Sequence, residues 1–586
     1  MSDTGRGTGA ADVGTRLEDG GGRGRPRWMR TWAFAFAILF GLAACWSVAT
    51  PLFASVDEPA HVLRAASVAH GQSVGAPCSR QSTTSACRPD HAARGPWTLV
   101  RVPAGIAHEV GDGPTCYPFH PDVSAGCASV PSPGGARGTA LMPTYVGRYP
   151  PLYYAVVGIP SLFTSRTVVL YLMRLVSGAL SAAFLAAAFS AARHSRRFLL
   201  APLGVGLAVT PMALFLSGVV NPSGLEISTA ICAWSTALTL AGDPELHRSR
   251  FLIVWLALSA GVLVQTRGLS PVFLAAVVAG VALLFGVRPW RRAWDTVVAR
   301  AGLAFVVICS AFALAWYVLV HPTRVTPQAS GPVHEHGLAL LAASYHHLLW
   351  MVPQMVGFFG WLDAPAPQLT YHIWYAALIF FGVLVVARRW YRGVGVWALL
   401  AAATVAVPVA ATAHVANRLG LIGQGRDWLP LAVSLPLVGA YAARRLVPPG
   451  RSGGAHRGRS GGAVILARLW RYAAAALSAA AMAALGVAEM GGFLRALHRY
   501  RDGLGHPTHL FGHASWTPPL PPGIVIVAAA ALTLAWCAWV AGAVARGLVL
   551  AGNECGREDS NLHPFRDQDL NLARLPLSPR PREPLS

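Results

Sequence analysis

The sequence predicts an all-α, polytopic integral membrane protein with about twelve transmembrane helices. Three observations lead to that prediction. Of the 586 residues, 54% are hydrophobic and only 12% are charged, whereas about a quarter of the residues in soluble domains are charged. The apolar residues fall into separate runs of about 20, the length that crosses the hydrocarbon core of a bilayer. All 47 basic residues are arginines, and they cluster in alternate connections between those runs.

The predicted spans follow one another along most of the chain. They begin near Thr31, Thr167, Phe198, Ser223, Phe251, Leu269, Ala301, Tyr371, Val394, Trp428, Trp470 and Gly523. The stretch from Phe251 to Phe285 can be divided in more than one way.

The positions of the arginines predict how the chain is oriented. Short, arginine-dense connections alternate with connections in which arginine is sparse. The dense ones are Arg193–Arg197, His247–Arg250, Arg288–Arg292, Arg388–Arg392 and Arg444–Arg471. Because arginine-rich loops stay on the cytoplasmic side, we predict a plasma-membrane protein with both termini in the cytoplasm. The net charge of +22 is then a topology signal and a contact with the lipid bilayer, not a nucleic-acid site.

The connection after the first span, residues 54–166, is predicted to be a large extracytoplasmic loop. Its four cysteines are Cys78, Cys87, Cys116 and Cys127. Four cysteines in one such loop indicate two disulfides with three possible pairings, of which the pairing of sequence neighbours is one. Free thiols and a zinc site are the alternatives, and the loop lacks the CxxC spacing typical of zinc sites.

The composition divides the chain into five parts. These are a disordered cytoplasmic N-terminus (1–30), a transmembrane core (31–445), a flexible cytoplasmic linker (446–469), C-terminal transmembrane helices (470–545) and a disordered tail (546–586). We assign no function to the tail.

The segment SVDEPAH, Ser55–His61, places two adjacent carboxylates where the chain leaves the first span. Asp57 is a suitable N-cap and Pro59 fits the first turn of a helix. In that helix Asp57, His61 and Arg64 share one face, so its polar edge combines a carboxylate, an imidazole and a guanidinium. The alternative is that Asp57 and Glu58 only cap the helix and complement its dipole.

Five motifs in this order resemble a family of bacterial multi-pass membrane proteins, best populated in actinobacteria and catalogued as a domain of unknown function. The motifs are SVDEPAHVLRAASVAHG (from Ser55), RYPPLYYAVVGIPSLF (from Arg148), LYLMRLVSG (from Leu170), NPSGLEI (from Asn221) and GQGRDWLPL (from Gly423). The resemblance covers about Trp32 to Arg445. The architecture of that family is similar to that of the GT-C membrane glycosyltransferases, which have an acidic motif in the first outer loop.

The resemblance to GT-C enzymes implies transfer of a sugar from a polyprenyl-phosphate donor to a cell-envelope glycan or protein at the outer face. Such a reaction needs a base for the acceptor hydroxyl. We predict that Asp57 is this base, that Glu58 supports it or helps hold a metal, and that His61 orients a carboxylate. Two adjacent carboxylates are too few to define a metal site, so a divalent metal cofactor is left open.

The leaving phosphate needs positive charge, and the same motifs offer candidates for substrate binding. These are Arg64, Arg148, Tyr149, Asn221, Glu226, Gln424 and Arg426. Arg426 follows a glycine-rich turn, where it would bind phosphate or, alternatively, anchor the interface beside Trp428. Asp427 stands where the resembling family often has an aromatic residue, and its negative charge weakens the phosphate interpretation. Glu226 is either a helix cap or a substrate ligand.

Two other classes of function fit the same pattern. Twelve spans also suit a transporter or flippase of lipid-linked sugars, although the two halves of this chain do not resemble each other as transporter repeats do. A non-catalytic envelope-assembly protein, with the DEPAH helix as a docking face, is the other alternative.

Overall fold

The computed structural model describes the chain in twelve stretches. They comprise residues 27–78, 87, 97–111, 116–128, 138–164, 166–195, 197–322, 333–387, 389–442, 461–509, 511–512 and 514–560. The predictions of disorder for residues 1–26, for most of the linker and for the end of the tail concern residues outside these stretches. Residues 27–30, for which the sequence also predicts disorder, are helical.

The described part of the chain is mainly helical. In chain order its α-helices are α1 (Arg27–Ala49), α2 (Glu58–Ala69), α3 (Ala104–Gly111), α4 (Leu152–Val157), α5 (Val168–His194), α6 (Ala201–Ala208), α7 (Pro211–Ser217), α8 (Pro222–Gly242), α9 (Arg250–Val264), α10 (Ser270–Phe285), α11 (Arg288–Trp294), α12 (Val297–Val320), α13 (Gly337–Gly357), α14 (Gln368–Ala387), α15 (Tyr391–Leu419), α16 (Gly425–Ala432), α17 (Ser434–Ala442), α18 (Gly461–Arg501) and α19 (Pro522–Ser560).

Eight of these helices are long and apolar enough to cross a membrane, or nine if the bent pair α10–α11 is one span, within the residues described. The eight are α1, α5, α8, α12, α14, α15, α18 and α19. The protein is therefore a multi-pass membrane protein. The other four predicted spans are interrupted or shorter than expected.

Local sequence explains the interruptions. Thr210 caps α7 by accepting a hydrogen bond from the amide of Ala213 at 3.2 Å, and Pro211 occupies the first turn, so α6 and α7 cannot fuse. Gly286 has a φ of 73° and sits at the 109° bend between α10 and α11. Glycine adopts that conformation without steric strain.

The helices pack around α8, which is buried along its whole length. α5 lies between α8 and α1, and α1 also packs on α19, the partner of α18. α12 lies at the edge, with Ala313 as its only buried residue. The bundle thus has a well-buried centre and an apolar, exposed flank.

The described residues of the segment between α1 and α5 form what we call the loop face of the bundle. It contains an antiparallel sheet of β1 (Ala76–Pro77), β2 (Thr98–Pro103) and β3 (Thr139–Thr144), with β2 in the centre. A second hairpin, β4 (Phe358–Phe359) with β5 (Ala364–Pro365), follows α13. Disulfides join Cys78 to Cys87 and Cys116 to Cys127.

The segment docks on the end of α18. Arg499 donates to the carbonyl oxygens of Val123 at 2.6 Å and Tyr117 at 2.7 Å, and to Asp363 at 2.7 Å. Ser124 donates to the carbonyl of Tyr500 at 3.0 Å. The C-terminal helices therefore support the loop face.

Some boundaries differ from the prediction. The predicted linker extends to 469, but α18 begins at Gly461. The predicted tail begins at 546, but α19 continues to Ser560. Between the spans predicted to begin near Ala301 and Tyr371, the structure also contains α13 and the β4–β5 hairpin.

Candidate functional site

Asp57 lies at the N-terminus of α2 in a left-handed conformation, with φ 66° and ψ −1°. Few residues other than glycine adopt that region, and such strain often marks a functional position. The Asp57 side chain makes no capping hydrogen bond to α2. The helix-cap interpretation therefore does not account for this carboxylate.

Two other elements hold the Asp57 carboxylate. Its Oδ1 accepts a hydrogen bond from the Tyr145 hydroxyl, and its Oδ2 forms an ion pair with Arg426 of α16. Arg426 also donates to the carbonyl of Val56 at 3.2 Å, as does the Asn221 side chain. The Asp57 side chain is 24% exposed, against 5% for Arg426. The carboxylate is thus fixed on one side and accessible on the other.

The charge state of Asp57 follows from these contacts. Burial alone would raise its pKa, but Arg426, His61 and the hydroxyl of Tyr145 together hold the pKa of the carboxyl below its usual value. Burial in turn raises the pKa of Tyr145, and the neighbouring Asp57 adds to that shift. At neutral pH the site therefore contains an ionised carboxylate and a neutral phenol.

Glu58 points elsewhere. Its carboxylate forms a bidentate pair with Arg174 of α5, at 2.7 Å and 2.6 Å. It also accepts from the amides of Phe53 and Val220, both at 3.1 Å. These four contacts use the hydrogen-bonding capacity of a carboxylate. The prediction that Glu58 supports Asp57 or a metal does not fit this arrangement, because the two side chains diverge.

His61 is a buried residue of α2, one turn after Asp57. Its Nδ1 is 2.9 Å from the hydroxyl of Tyr154, so this hydrogen bond orients a tyrosine rather than a carboxylate. Burial lowers the pKa of His61 to about 3 even though Asp57 opposes that shift. His61 is therefore neutral at physiological pH.

Arg64 does not face a substrate position. Its guanidinium is fully buried and donates to the carbonyls of Ser73 at 2.6 Å and Tyr149 at 2.7 Å. Arg64 thus holds the chain after α2 against the turn before α4. The predicted substrate contact is corrected to a structural one.

A second ion pair lies beside the first. Arg267, in the turn between α9 and α10, donates to Asp427 at 2.6 Å and to Ser223 at 2.9 Å, and lies 3.7 Å from Glu226. Burial would lower the pKa of Arg267, but Asp427 and Glu226 outweigh it and raise the pKa. Glu226 accepts from Ser270 at 2.5 Å. Two carboxylates therefore share one arginine.

Asp427 has a defined role in this arrangement. Its second oxygen accepts from the backbone amide of Gln424 at 3.0 Å, in a capping box at the start of α16. The expectation that Asp427 weakens phosphate binding by Arg426 stays a prediction: Arg267 pairs with Asp427, and Arg426 pairs with Asp57. Residues 426 and 427 thus place two ion pairs side by side.

Tyr149 lies close to both pairs, and Arg148 precedes it in the chain. Burial raises the pKa of Tyr149, and charges from Arg267, Asp57, Asp427 and Arg426 all act on that hydroxyl. The carbonyl of Arg148 accepts from Trp316 of α12 at 2.9 Å. The guanidinium of Arg148 has no ion pair with any described residue, and its Nε has no hydrogen-bond partner there.

Sequence reasoning missed Tyr145 and Arg267. Tyr145 lies three residues before the RYPPLYY motif, and Arg267 is the single charged residue in the turn between the predicted spans that begin near Phe251 and Leu269. An isolated charge in such a turn is the signal that could have found Arg267. Nothing in the sequence around Tyr145 indicates its contact with Asp57.

The arrangement does not resemble a metal centre. Within the described stretches, no three or more His, Cys, Asp or Glu side chains group in a way that could hold a metal ion. Asp57 and Glu226 are each paired with an arginine. The chemistry available here is that of an ionised carboxylate, tyrosine hydroxyls and guanidinium groups.

Comparison with known proteins identifies the family of this chain. A family model described as a predicted membrane protein, DUF2142, matches residues 40–435, which is more than half of the chain. No curated protein and no solved structure matches the chain. All the site residues described above lie within the matched range.

Proposed function

We propose that this chain, which belongs to the DUF2142 family of predicted membrane proteins, is a GT-C-like glycosyltransferase of the plasma membrane. It would transfer a sugar from a polyprenyl-phosphate donor to a cell-envelope acceptor at the loop face, which the arginine distribution predicts to be the outer face. One observation carries the proposal. The Asp57 carboxylate is turned away from its own helix, held ionised by Arg426 and left partly accessible.

Asp57 is suited to the role of general base. Each of its oxygens has a second lone pair beyond the one that Tyr145 or Arg426 uses, so an acceptor hydroxyl can donate to it. In the transfer, that hydroxyl oxygen bonds to the anomeric carbon and the bond from this carbon to the phosphate oxygen breaks. The phosphate keeps the electron pair, and the hydroxyl proton passes to Asp57.

Arg148 is the best candidate for the donor phosphate. Arg426 and Arg267 already neutralise carboxylates, whereas Arg148 has no ion pair among the described residues. Its carbonyl oxygen accepts a hydrogen bond from α12, a helix that exposes apolar side chains such as Ile308 and Leu314. A polyprenyl chain lying along α12 would bring its phosphate to Arg148.

The remaining predicted residues take supporting roles. Asn221 positions the carbonyl of Val56, and Gln424 and Asp427 start the helix that presents Arg426. Tyr149 and Glu226 border the two ion pairs, where hydroxyl groups of a sugar would find acceptors and donors. Glu58 and Arg64 serve the fold.

The test compares the envelope glycans of a deletion strain complemented with wild type or Asp57→Asn. Asp295→Asn is the matched control, because Asp295 is 63% exposed in a surface pair with Arg248. We expect Asp57→Asn to reproduce the glycan defect of the deletion at equal membrane abundance, and Asp295→Asn to complement. Full complementation by Asp57→Asn would remove the basis of the proposal.

A transporter of lipid-linked sugars is the second candidate, favoured by the interrupted spans α6–α7 and α16–α17. Broken helices are common in transporters. An assay in detergent distinguishes a transferase from a transporter. A transferase still forms product from added donor and acceptor, whereas a transporter has no activity because detergent leaves no separate compartments. Product formation that Asp57→Asn abolishes supports transfer. Movement of the donor across the membrane of reconstituted vesicles, without product formation, supports transport. If neither product formation nor donor movement occurs, the protein is a scaffold.

A further inference from the structure

α18 carries a carboxyl group inside its membrane-spanning part. Glu489 lies 12 residues before Arg501, which is about 18 Å along the helix axis at 1.5 Å per residue. It therefore sits near the middle of an apolar helix rather than at its end. Glu489 lies outside the range that the family model matches.

The surroundings of Glu489 are apolar apart from Thr533. Its Oε1 accepts a hydrogen bond from the indole of Trp46 in α1 at 3.3 Å, and Glu489 forms no ion pair with a described residue. The other titratable groups nearby are the thiols of Cys45 in α1 and Cys537 in α19, and α6, α7 and α14 contribute none. An ionised carboxylate without a counter-ion is strongly disfavoured in such a place.

A small cavity adjoins this carboxyl group. Its volume is about 20 Å³, enough for one water molecule. Among its lining residues are Gly206, Val209 and Leu214, which flank the break between α6 and α7. A buried carboxyl group, a broken helix and room for a water thus meet inside the membrane, the combination that marks proton and ion sites in membrane proteins.

We propose that Glu489 is a proton-binding site in the membrane interior. Its carboxyl group holds a proton at neutral pH and exchanges it with a water in the cavity beside the α6–α7 break. The ligand is a proton rather than a metal ion, because a single carboxyl group in an apolar cavity offers too few oxygen ligands. The site is separate from Asp57, and the inference does not depend on glycosyl transfer.

The first experiment uses dicyclohexylcarbodiimide, an apolar reagent that adds to a protonated carboxyl group and leaves a stable N-acylurea. The purified full-length protein is treated in detergent, and the adduct is located by mass spectrometry. We expect one adduct at Glu489, at least tenfold less adduct in Glu489→Gln, and unchanged labelling in Glu109→Gln. Glu109 is the matched control because it is also a buried glutamate but lies in the loop segment.

Infrared spectroscopy supplies a test that does not depend on access of the reagent. Glu489→Gln keeps a carbonyl acceptor for Trp46, so its fold should be retained. The spectrum of wild type minus Glu489→Gln should contain the carbonyl stretch of a protonated acid, and this band should shift in D₂O. A carboxylate band instead would overturn the proposal. An acid band that never shifts in D₂O would overturn the exchange with water.

Discussion

The backbone at Asp57 is left-handed, and this conformation turns its carboxylate toward Arg426 and Tyr145 instead of toward its own helix. Glu58, one residue later, turns to the opposite side and meets Arg174. One peptide unit thus separates a partly accessible carboxylate from one that is 2% exposed. The left-handed conformation at Asp57 therefore leaves the Asp57 carboxylate available for chemistry, while the Glu58 carboxylate holds the chain against α5.

The Glu58–Arg174 pair should dominate local stability. Arg174 also donates to the carbonyls of Ser47, Thr50 and Pro51, so it ties the end of α1 to α5. Glu58→Gln should destabilise the protein by about 3–5 kcal/mol, because it leaves the arginine buried and uncompensated. Thermal unfolding in detergent measures this change.

The double variant provides the control for that prediction. Glu58→Leu with Arg174→Leu should lose less stability than the sum of the two single changes, since the residues interact directly. A loss in Glu58→Gln no larger than in Asp57→Asn would contradict the structural role of Glu58.

Arg426 should determine the pH below which activity is lost. Burial raises the pKa of Asp57 and Arg426 lowers it, so Arg426→Gln leaves the effect of burial less opposed. A base must be ionised, and activity is lost as the pH falls through its pKa. The acidic limb of the pH–rate profile should therefore move to higher pH in Arg426→Gln, and less so in Tyr145→Phe. An unmoved limb in Arg426→Gln would mean that Asp57 is not the base.

Sequence alone could predict the position of Asp57, because a carboxylate pair at a membrane exit is a local feature. It could not predict that Glu58 belongs to Arg174, 116 residues away, or that Tyr145 binds Asp57. Those assignments depend on which helices pack together. For the same reason the sequence could not pair Asp427 with Arg267, 160 residues away.

At the scale of elements, hydropathy locates apolar runs but not their interruptions. The predicted spans from Phe198 and Trp428 each divide into two short helices, α6–α7 and α16–α17. Pro211 begins α7 directly after one break, but prolines inside α13, α15 and α16 interrupt none of those helices. Whether a proline ends a helix is decided by the partners that satisfy the freed carbonyl groups.

The loop segment should depend on Arg499 for its docking. Arg499 is fully buried and binds Asp363 and two loop carbonyls. Arg499→Leu should release the segment around Cys116–Cys127, increase its rate of limited proteolysis several-fold and reduce transfer. Arg546→Leu is the control, because that arginine is exposed and bonds within its own helix. Equal proteolysis of the two variants would show that Arg499 does not hold the loop.

At the scale of the whole molecule, the family match ends at residue 435, but the packing does not. α1 lies against α19, α14 lies against α18, and the loop segment rests on the end of α18. The hydrogen bond from Trp46 to Glu489 joins the first helix of the chain to the C-terminal pair. The core that positions Asp57 is therefore completed by helices outside the matched range.

This packing predicts that the two parts of the chain can be separated but neither can be omitted. A chain that ends at 460 should accumulate poorly in the membrane and fail to complement the deletion, because one face of α1 and the support of the loop are lost. Co-expression of residues 461–586 as a second polypeptide should restore abundance and glycan assembly, since α18 and α19 are one hairpin that packs as a unit. Carrying Arg499→Leu on the second polypeptide should weaken the rescue. If the chain ending at 460 accumulates and functions alone at the wild-type level, the C-terminal pair is an appendage and the contacts of Arg499 do not support the site.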